Sequence, residues 1–270
     1  MNILGLDFTS APKPRKPIRA AVGTLEGDLL SLRELRVISD FVAFEELLAT
    51  FEGIGGYDFP FGLPITGIAH LQWGNSWTAI IAQVAQLELP TFIQMLKNAP
   101  HREFRASDRA AKAASPMNTV YPPVARMFYR GAPRLMNYQV SIYPCRPLEH
   151  SKHIALEVYP ALAARRIVGF RPYKSDTKSK QSRERLTARA EIVDNLERLA
   201  RDYYQISLMI DNEIRTQCLS DASGDTLDAV LAAIITAWAA RTPNYRIPAN
   251  ADPREGWIVD PLTLAAANSL

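Results

Sequence analysis

The sequence predicts an α/β protein. It would carry a mixed sheet, an antiparallel three-strand meander plus parallel strands, flanked by helices and interrupted by a mostly helical insertion. Three observations predict it. A short alternating strand is followed at once by a hairpin. A strand–helix–strand passage then implies parallel pairing onto that meander. A late, almost wholly apolar helix, "DTLDAVLAAIITAWAA", supplies a layer to cover the sheet.

"NILGLDF" reads as the first strand, with Ile3, Gly5 and Asp7 on one face and Leu4, Leu6 and Phe8 on the other. A Pro- and Lys-rich loop, "TSAPKPRKP", leads into "IRAAVGTLEGDLLSLRELRV", two strands about a turn at Glu26-Gly27-Asp28. "DFVAFEELLATF" places Phe41, Phe44, Leu47, Leu48 and Phe51 at helical spacing, with Asp40 as N-cap. "IGGYDFPFGLP" is a short strand that stops at Pro60. From about 65 to 145 the pattern turns mostly helical. "WTAIIAQVAQL" and "LPTFIQMLKN" are helices, and the proline-rich "SPMNTVYPPVARMFYRGAPRL" reads as loops and short helices. "HIALEVYP" is a further strand. A polar loop then precedes a charged amphipathic helix carrying Leu186, Ile192, Leu196 and Leu199. No repeat is visible, so residues 1–270 read as one domain with the insertion at about 65–145.

Bulk properties narrow the function classes. With 47% hydrophobic and 22% charged residues, a large core is expected and disorder is not. A net charge of +3 does not by itself argue for nucleic acid, so local clusters have to carry that case. Cys145 and Cys218 lie too far apart for a metal-ligand pair, and the four histidines show no ligand spacing. The start "MNILGLDFTS" lacks the features of a signal peptide, and no apolar run reaches the roughly 18 residues of a membrane span. No membrane association is expected, and the cytoplasm is the expected compartment.

The acidic residues carry the chemistry. Asp7, Asp58 and Glu157 fall at strand ends, and Asp225 and Asp228 open the apolar helix. Strand ends of α/β sheets face the crevice where ligands bind. Carboxylates gathered there repel one another unless a cation joins them, and Mg²⁺ or Mn²⁺ suits hard oxygen donors. Each residue also has a structural reading, as turn cap, solvated strand end or helix cap. On a helical wheel Asp228 lies about 90° from the centre of the apolar face and Asp225 nearly opposite. Asp225 is therefore the better N-cap and Asp228 the better candidate ligand.

The order of these pieces resembles the RNase H-like superfamily, in which the first strand, the strand after the first helix and a late helix carry the acids. "DTLDAVLAA" looks like the closing helix of the RuvC-type resolvases. "GLDFTS", "YDFPFGLP", "LEVYPAL", "DTLDAVLAA" and "EGWI" together resemble the family called domain of unknown function 429, regarded as RNase H-like nucleases. The resemblance runs from residue 1 to about 260. It implies an RNase H-like fold, a metal site and nuclease activity: hydrolysis of phosphodiester bonds by metal-activated water. The catalytic set would be Asp7, Asp58, Asp225, Asp228 and Glu157, with Asp7, Asp58 and Asp228 as metal ligands. Asp58 and Glu157 compete for the second acidic position, and Asp58 is preferred because it follows the strand after the first helix.

Nucleic acid is the expected partner. Arg102, Arg105, Arg109 and Lys112 form one basic cluster, with the three arginines spaced along one helical face and Asp108 among them. Lys174, Lys178, Lys180, Arg183, Arg185 and Arg189 form a second, and Lys13, Arg15 and Lys16 a third. Arg105, Arg109 and Lys178 are the candidate substrate contacts, with Tyr121, Phe128 and Tyr129 as candidate stacking platforms for bases. Solvated surface is the ordinary alternative for such runs. Two other functions stay open. One is a non-catalytic nucleic-acid or protein-binding module on the same fold. The other is a nucleotide-binding phosphotransferase, since "GLDFTS" resembles the first phosphate loop of actin-like ATPases, although their further Gly-rich motifs are missing.

Overall fold

The computed structural model describes residues 1–99 and 103–267. Strands β1 (Asn2–Asp7), β2 (Ile18–Glu26) and β3 (Leu29–Ile38) form the meander. Helix α1 (Phe41–Thr50) starts on Asp40, whose side chain accepts from the Ala43 amide, and leads to β4 (Gly53–Asp58), parallel to β1. Helices α2 (Ile65–Leu71), α3 (Trp77–Gln86), α4 (Leu89–Asn98), α5 (Ala106–Ala111) and α6 (Val124–Asn137) follow. Then come β5 (Val140–Ile142), β6 (His153–Glu157), α7 (Pro160–Val168), α8 (Arg183–Asp194), α9 (Leu196–Tyr204) and β7 (Ser207–Ile210). Helices α10 (Asn212–Ser220), α11 (Asp225–Ala240) and α12 (Pro261–Ala267) complete the described chain.

The seven strands lie in the order β5-β6-β4-β1-β2-β3-β7. All pairings are parallel except those of β2 with β1 and β3. This is an open mixed sheet with helices on both faces. The strand alternation sorts the two layers. Ile3, Ile54 and Leu156 pack with α7 to α11. Leu4, Leu6, Phe8, Tyr57 and Ala155 pack with α1 and with α2, α3, α4 and α6 of the inserted region. The region from 65 to 145 is therefore the second layer of the sheet, and its last strand, β5, joins the sheet edge beside β6.

Three elements depart from expectation. The stretch read as loops and short helices holds α6, fourteen residues long with Pro133 inside it. Ala125, Phe128, Ala132 and Leu135 repeat at helical spacing and are buried, and that packing outweighs the proline. The charged amphipathic helix is two helices, α8 and α9, divided at Asn195, and Leu186 is exposed. Strands β5 and β7 are three and four residues long, too short to carry a periodic signal of their own.

Candidate functional site

Strands β1 and β4 share one pattern on the face beneath α11. β1 presents Ile3, Gly5 and Asp7, and β4 presents Ile54, Gly56 and Asp58. The parallel register pairs them rank by rank, Ile3 with Ile54, Gly5 with Gly56 and Asp7 with Asp58. The glycines make room for the helix. A Cβ on Gly5 would stand 2.1 Å from the Ala233 amide nitrogen and 2.2 Å from the Ala229 carbonyl oxygen, and one on Gly56 would meet Thr236 Oγ1 at 1.9 Å. α11 thus lies with its backbone against β1, running back along the strands from their C-terminal ends. Its first turn carries Asp225 and Asp228 to the place where Asp7 and Asp58 emerge.

The capping expectation for Asp225 is corrected. The N-cap position is Gly224, in the left-handed conformation at φ 78°. The capping work falls to Asp221, whose carboxylate accepts from the Thr226 amide at 2.9 Å and from the Thr226 hydroxyl at 2.8 Å. Asp225 turns instead toward Lys16, whose Nζ donates to both its carboxylate oxygens at 3.0 and 2.8 Å. Asp228 is only 1% exposed, accepts from the Tyr173 hydroxyl at 2.6 Å, and forms an ion pair with Lys174 Nζ. Lys16 also pairs with Asp176.

Asp7 and Asp58 have no such partners: neither carboxylate accepts a hydrogen bond from any described residue. Asp7 is 7% exposed and Asp58 half-buried. Burial is the main cause that pushes the Asp7 carboxyl well above the usual range, and the charges of Asp225, Asp228 and Asp58 add to it against the pull of Lys174. Burial, with Asp228 as the next cause, raises Asp58 to about 8. Asp225 is also raised by burial, with Lys16 opposing. For Lys174, burial works against the charged form, but Asp228, Tyr173 and Asp7 outweigh it and the ammonium is held well above its ordinary value.

Glu157 lines the cleft onto which this cluster opens and its charge adds to the rise of Asp58, but its carboxylate has a partner of its own. It pairs in register with Tyr57, one residue before Asp58, so the pleat turns it to the opposite face of the sheet. There it meets Arg105. All five N–H donors of that guanidinium are engaged: two with Asp108 at 2.9 and 2.8 Å, two with Glu157 at 2.8 and 2.5 Å, and one with the Glu255 carbonyl at 2.8 Å. Glu157 also accepts from the Phe61 amide at 2.9 Å. Arg105, 2% exposed, precedes α5 and is an internal clamp, and the helical face expected to hold it with Arg109 does not form. Arg109 is exposed, facing Glu103 at 4.0 Å, and Arg102 lies outside the described residues. Burial raises the Glu157 carboxyl, with Arg105 opposing. Arg105→Met is expected to cost about 3 kcal/mol in urea unfolding, because it leaves two carboxylates buried and unpaired. A change below about 1 kcal/mol would show that the clamp is dispensable.

The acidic cluster opens into a cleft of about 350 Å³. Asp7, Asp58, Asp225, Lys16 and Lys174 line its charged side together with the Arg105, Asp108 and Glu157 clamp, Arg109 lies outside the lining, and Phe8, Phe59, Tyr121, Pro122 and Met127 form its apolar wall. Tyr121 is 88% exposed at this wall. The other two expected stacking platforms are corrected. Phe128 is fully buried against Phe92, and Tyr129 packs on the same ring and donates its hydroxyl to the Leu87 carbonyl. In the second basic run, Lys178 and Lys180 are exposed on a 3-10 turn outside the cleft lining. Arg185 and Arg189 instead brace the backbone, donating to the Lys174 and Lys180 carbonyls and to those of Tyr173 and Leu219.

Among the described residues, no three His, Cys, Asp or Glu side chains are grouped so as to hold a metal ion, and Asp228 and Asp225 are turned to lysines. The donor chemistry nevertheless fits a hard divalent cation. Asp7 and Asp58 offer unpartnered oxygens side by side, and Mg²⁺ is commonly held by one or two carboxylates together with waters and substrate phosphate. Asp7 and Asp58, both held above the usual carboxylate range, would release their protons to such a cation.

The family described as "Protein of unknown function (DUF429)" matches residues 32–253. That span includes Asp58, Glu157, Lys174, Asp225 and Asp228, while Asp7 and Lys16 precede it. No curated protein and no solved structure matches the chain. Among the described residues, no helix is long and apolar enough to cross a membrane.

Proposed function

The chain belongs to the family of unknown function DUF429, and from the site it carries we propose that it is a metal-dependent nuclease of RNase H-like type. The observation that carries this reading is the pair Asp7 and Asp58, unpartnered and matched in register beside the two aspartates of α11. Asp7 and Asp58 would hold Mg²⁺ or Mn²⁺, with Asp228 as a third donor once released from Lys174. When bound, such a cation supplies Lewis-acid activation of a water and stabilises charge at the phosphoryl group. The protein's own part is positional. The paired strands fix the two carboxylates, Tyr121 and its apolar neighbours offer a surface for a base, and Lys16 places a positive charge at the cleft.

Calorimetry with Mn²⁺ tests this directly. Wild type is expected to bind and Asp7→Asn to lose binding, together with Mn²⁺-dependent cleavage of single- and double-stranded substrates. Unchanged cleavage in Asp7→Asn would remove the proposal. Because ligand carboxylates must lose their protons and both Asp7 and Asp58 are held above the usual range, Asp58 up to about 8, Mn²⁺ affinity should rise as the pH is raised from 6 through 8. A flat profile would exclude Asp58 as a ligand. A second reading, a non-catalytic nucleic-acid-binding module, is favoured by one observation. Lys174 and Lys16 already neutralise Asp228 and Asp225 without a metal. Nucleic-acid binding in chelator, with no cleavage in Mn²⁺, would select it.

A further inference from the structure

Lys174 is placed with more care than a surface lysine needs. Its carbonyl accepts from Arg185 Nε at 3.2 Å, and the next residue, Ser175, donates its amide to the Ala222 carbonyl at 3.1 Å. The backbone is thereby tied to α8 on one side and to the approach to α11 on the other. Its stem runs against Gly224, where an added Cβ would stand 2.6 Å from Lys174 Cβ and 2.9 Å from its Cδ. Glycine at that position leaves a slot that the lysine stem fills. The ammonium at the end of the stem forms its ion pair with Asp228. It also acts electrostatically on Asp7, Asp58 and Asp225, so one cation serves all four carboxylates. The side chain is 39% exposed and lines the cleft, so a way out is open to it. Asp7 is more than nine-tenths buried in the same cluster and accepts no hydrogen bond from any described residue, so its carboxylate is open to a ligand.

We infer that Lys174 is a resident counter-cation, holding Asp228 in the metal-free protein and giving that carboxylate up to a divalent cation by turning into the cleft. The inference rests on the metal reading above and deepens it. A cation entering beside Asp7 and Asp58 gains its third oxygen only by displacing the ammonium, since a carboxylate held by an adjacent positive charge is a poor donor to a second one. Lys174 is thus a positioning residue for the metal. It keeps the four acids compatible with a folded protein before metal arrives, and it sets the affinity at which metal takes over.

The test is a competition measured without turnover. Mn²⁺ titrations by calorimetry would compare wild type, Lys174→Met, which keeps the stem in its slot, and Asp228→Asn. The expected result is a dissociation constant on the order of tenfold lower in Lys174→Met, the size of a typical coupling between two ligands of one site. Peptide-mapped reductive methylation of the unmutated protein gives a second readout that does not depend on the variant folding. Lys174 should be modified slowly in chelator and faster in saturating Mn²⁺, with exposed Lys178 unchanged as the internal reference. Equal Mn²⁺ affinity in wild type and Lys174→Met, or Lys174 methylation that stays the same or slows in Mn²⁺, would overturn the inference and leave the metal site standing. Absence of Mn²⁺ binding in both proteins would overturn the metal reading, and the inference with it.

Discussion

Asp58→Asn should make the metal-free protein more stable at pH 8 while weakening Mn²⁺ binding at least about a hundredfold. The two effects share one cause. Burial and the neighbouring Asp228 raise the Asp58 carboxyl to about 8. In the unfolded chain the same group ionises at its ordinary value near 3.8. Between those two values the native state holds a proton that the unfolded state has released. The contribution of Asp58 to stability therefore falls as pH rises from about 4 to about 8, and levels beyond it. Asparagine carries no such proton, so its advantage over wild type should be absent near pH 4 and grow steadily as pH rises to 8. Urea melts at pH 4.5 and pH 8 check both sign and window. A variant less stable than wild type at pH 8 would mean that Asp58 is held by partners rather than strained by neighbours.

Gly5→Ala is expected to prevent stable folding, with a loss of at least about 4 kcal/mol. The new Cβ would enter the backbone of α11 between Ala229 and Ala233, which cannot move away without lifting the helix from the sheet. Gly56→Ala offers a controlled contrast. Its obstacle is the Thr236 side chain, with the Val158 methyls next at 3.0 Å. Adding Thr236→Ala should recover part of the stability lost in Gly56→Ala, while no side-chain deletion should rescue Gly5→Ala. Thermal unfolding of the three variants measures this. A Gly5→Ala protein melting within a few degrees of wild type would mean that α11 sits farther from β1 than these contacts show.

Much of this arrangement was legible in the chain. The alternation of "NILGLDF" separated Gly5 and Asp7 from Leu4, Leu6 and Phe8, and the structure keeps that separation between its two layers. The hairpin turn, the Asp40 cap and the strand ending before Pro60 are also where the residues put them. The site was less readable, for physical reasons. Whether Asp58 or Glu157 stands beside Asp7 depends on strand register, and a one-residue offset between β4 and β6 sends them to opposite faces. One available signal was missed: Ile-x-Gly-x-Asp occurs in both "ILGLD" and "IGGYD", marking two strands crossed by one closely packed helix. The role of Lys174 was hidden because a lysine inside a basic run reads as surface, and only tertiary contact shows that it turns inward. Asp221 was overlooked as the cap of α11 because it reaches Thr226 from five residues back, beyond the usual capping spacing.

The encasement of α11 also has a kinetic consequence. All sixteen of its residues are buried between the sheet and the surrounding helices. Amide hydrogens along such an element exchange with solvent only when the whole molecule opens. Asp228 is anchored at the start of that slowest unit, whereas Lys174 lies in the irregular segment between α7 and α8 and its side chain is 39% exposed. The two halves of the ion pair are therefore expected to move on different timescales. The carboxylate is expected to stay in place for as long as the protein is folded, whereas rotation of the lysine side chain, with its backbone still tied, would be enough to take the ammonium into the cleft.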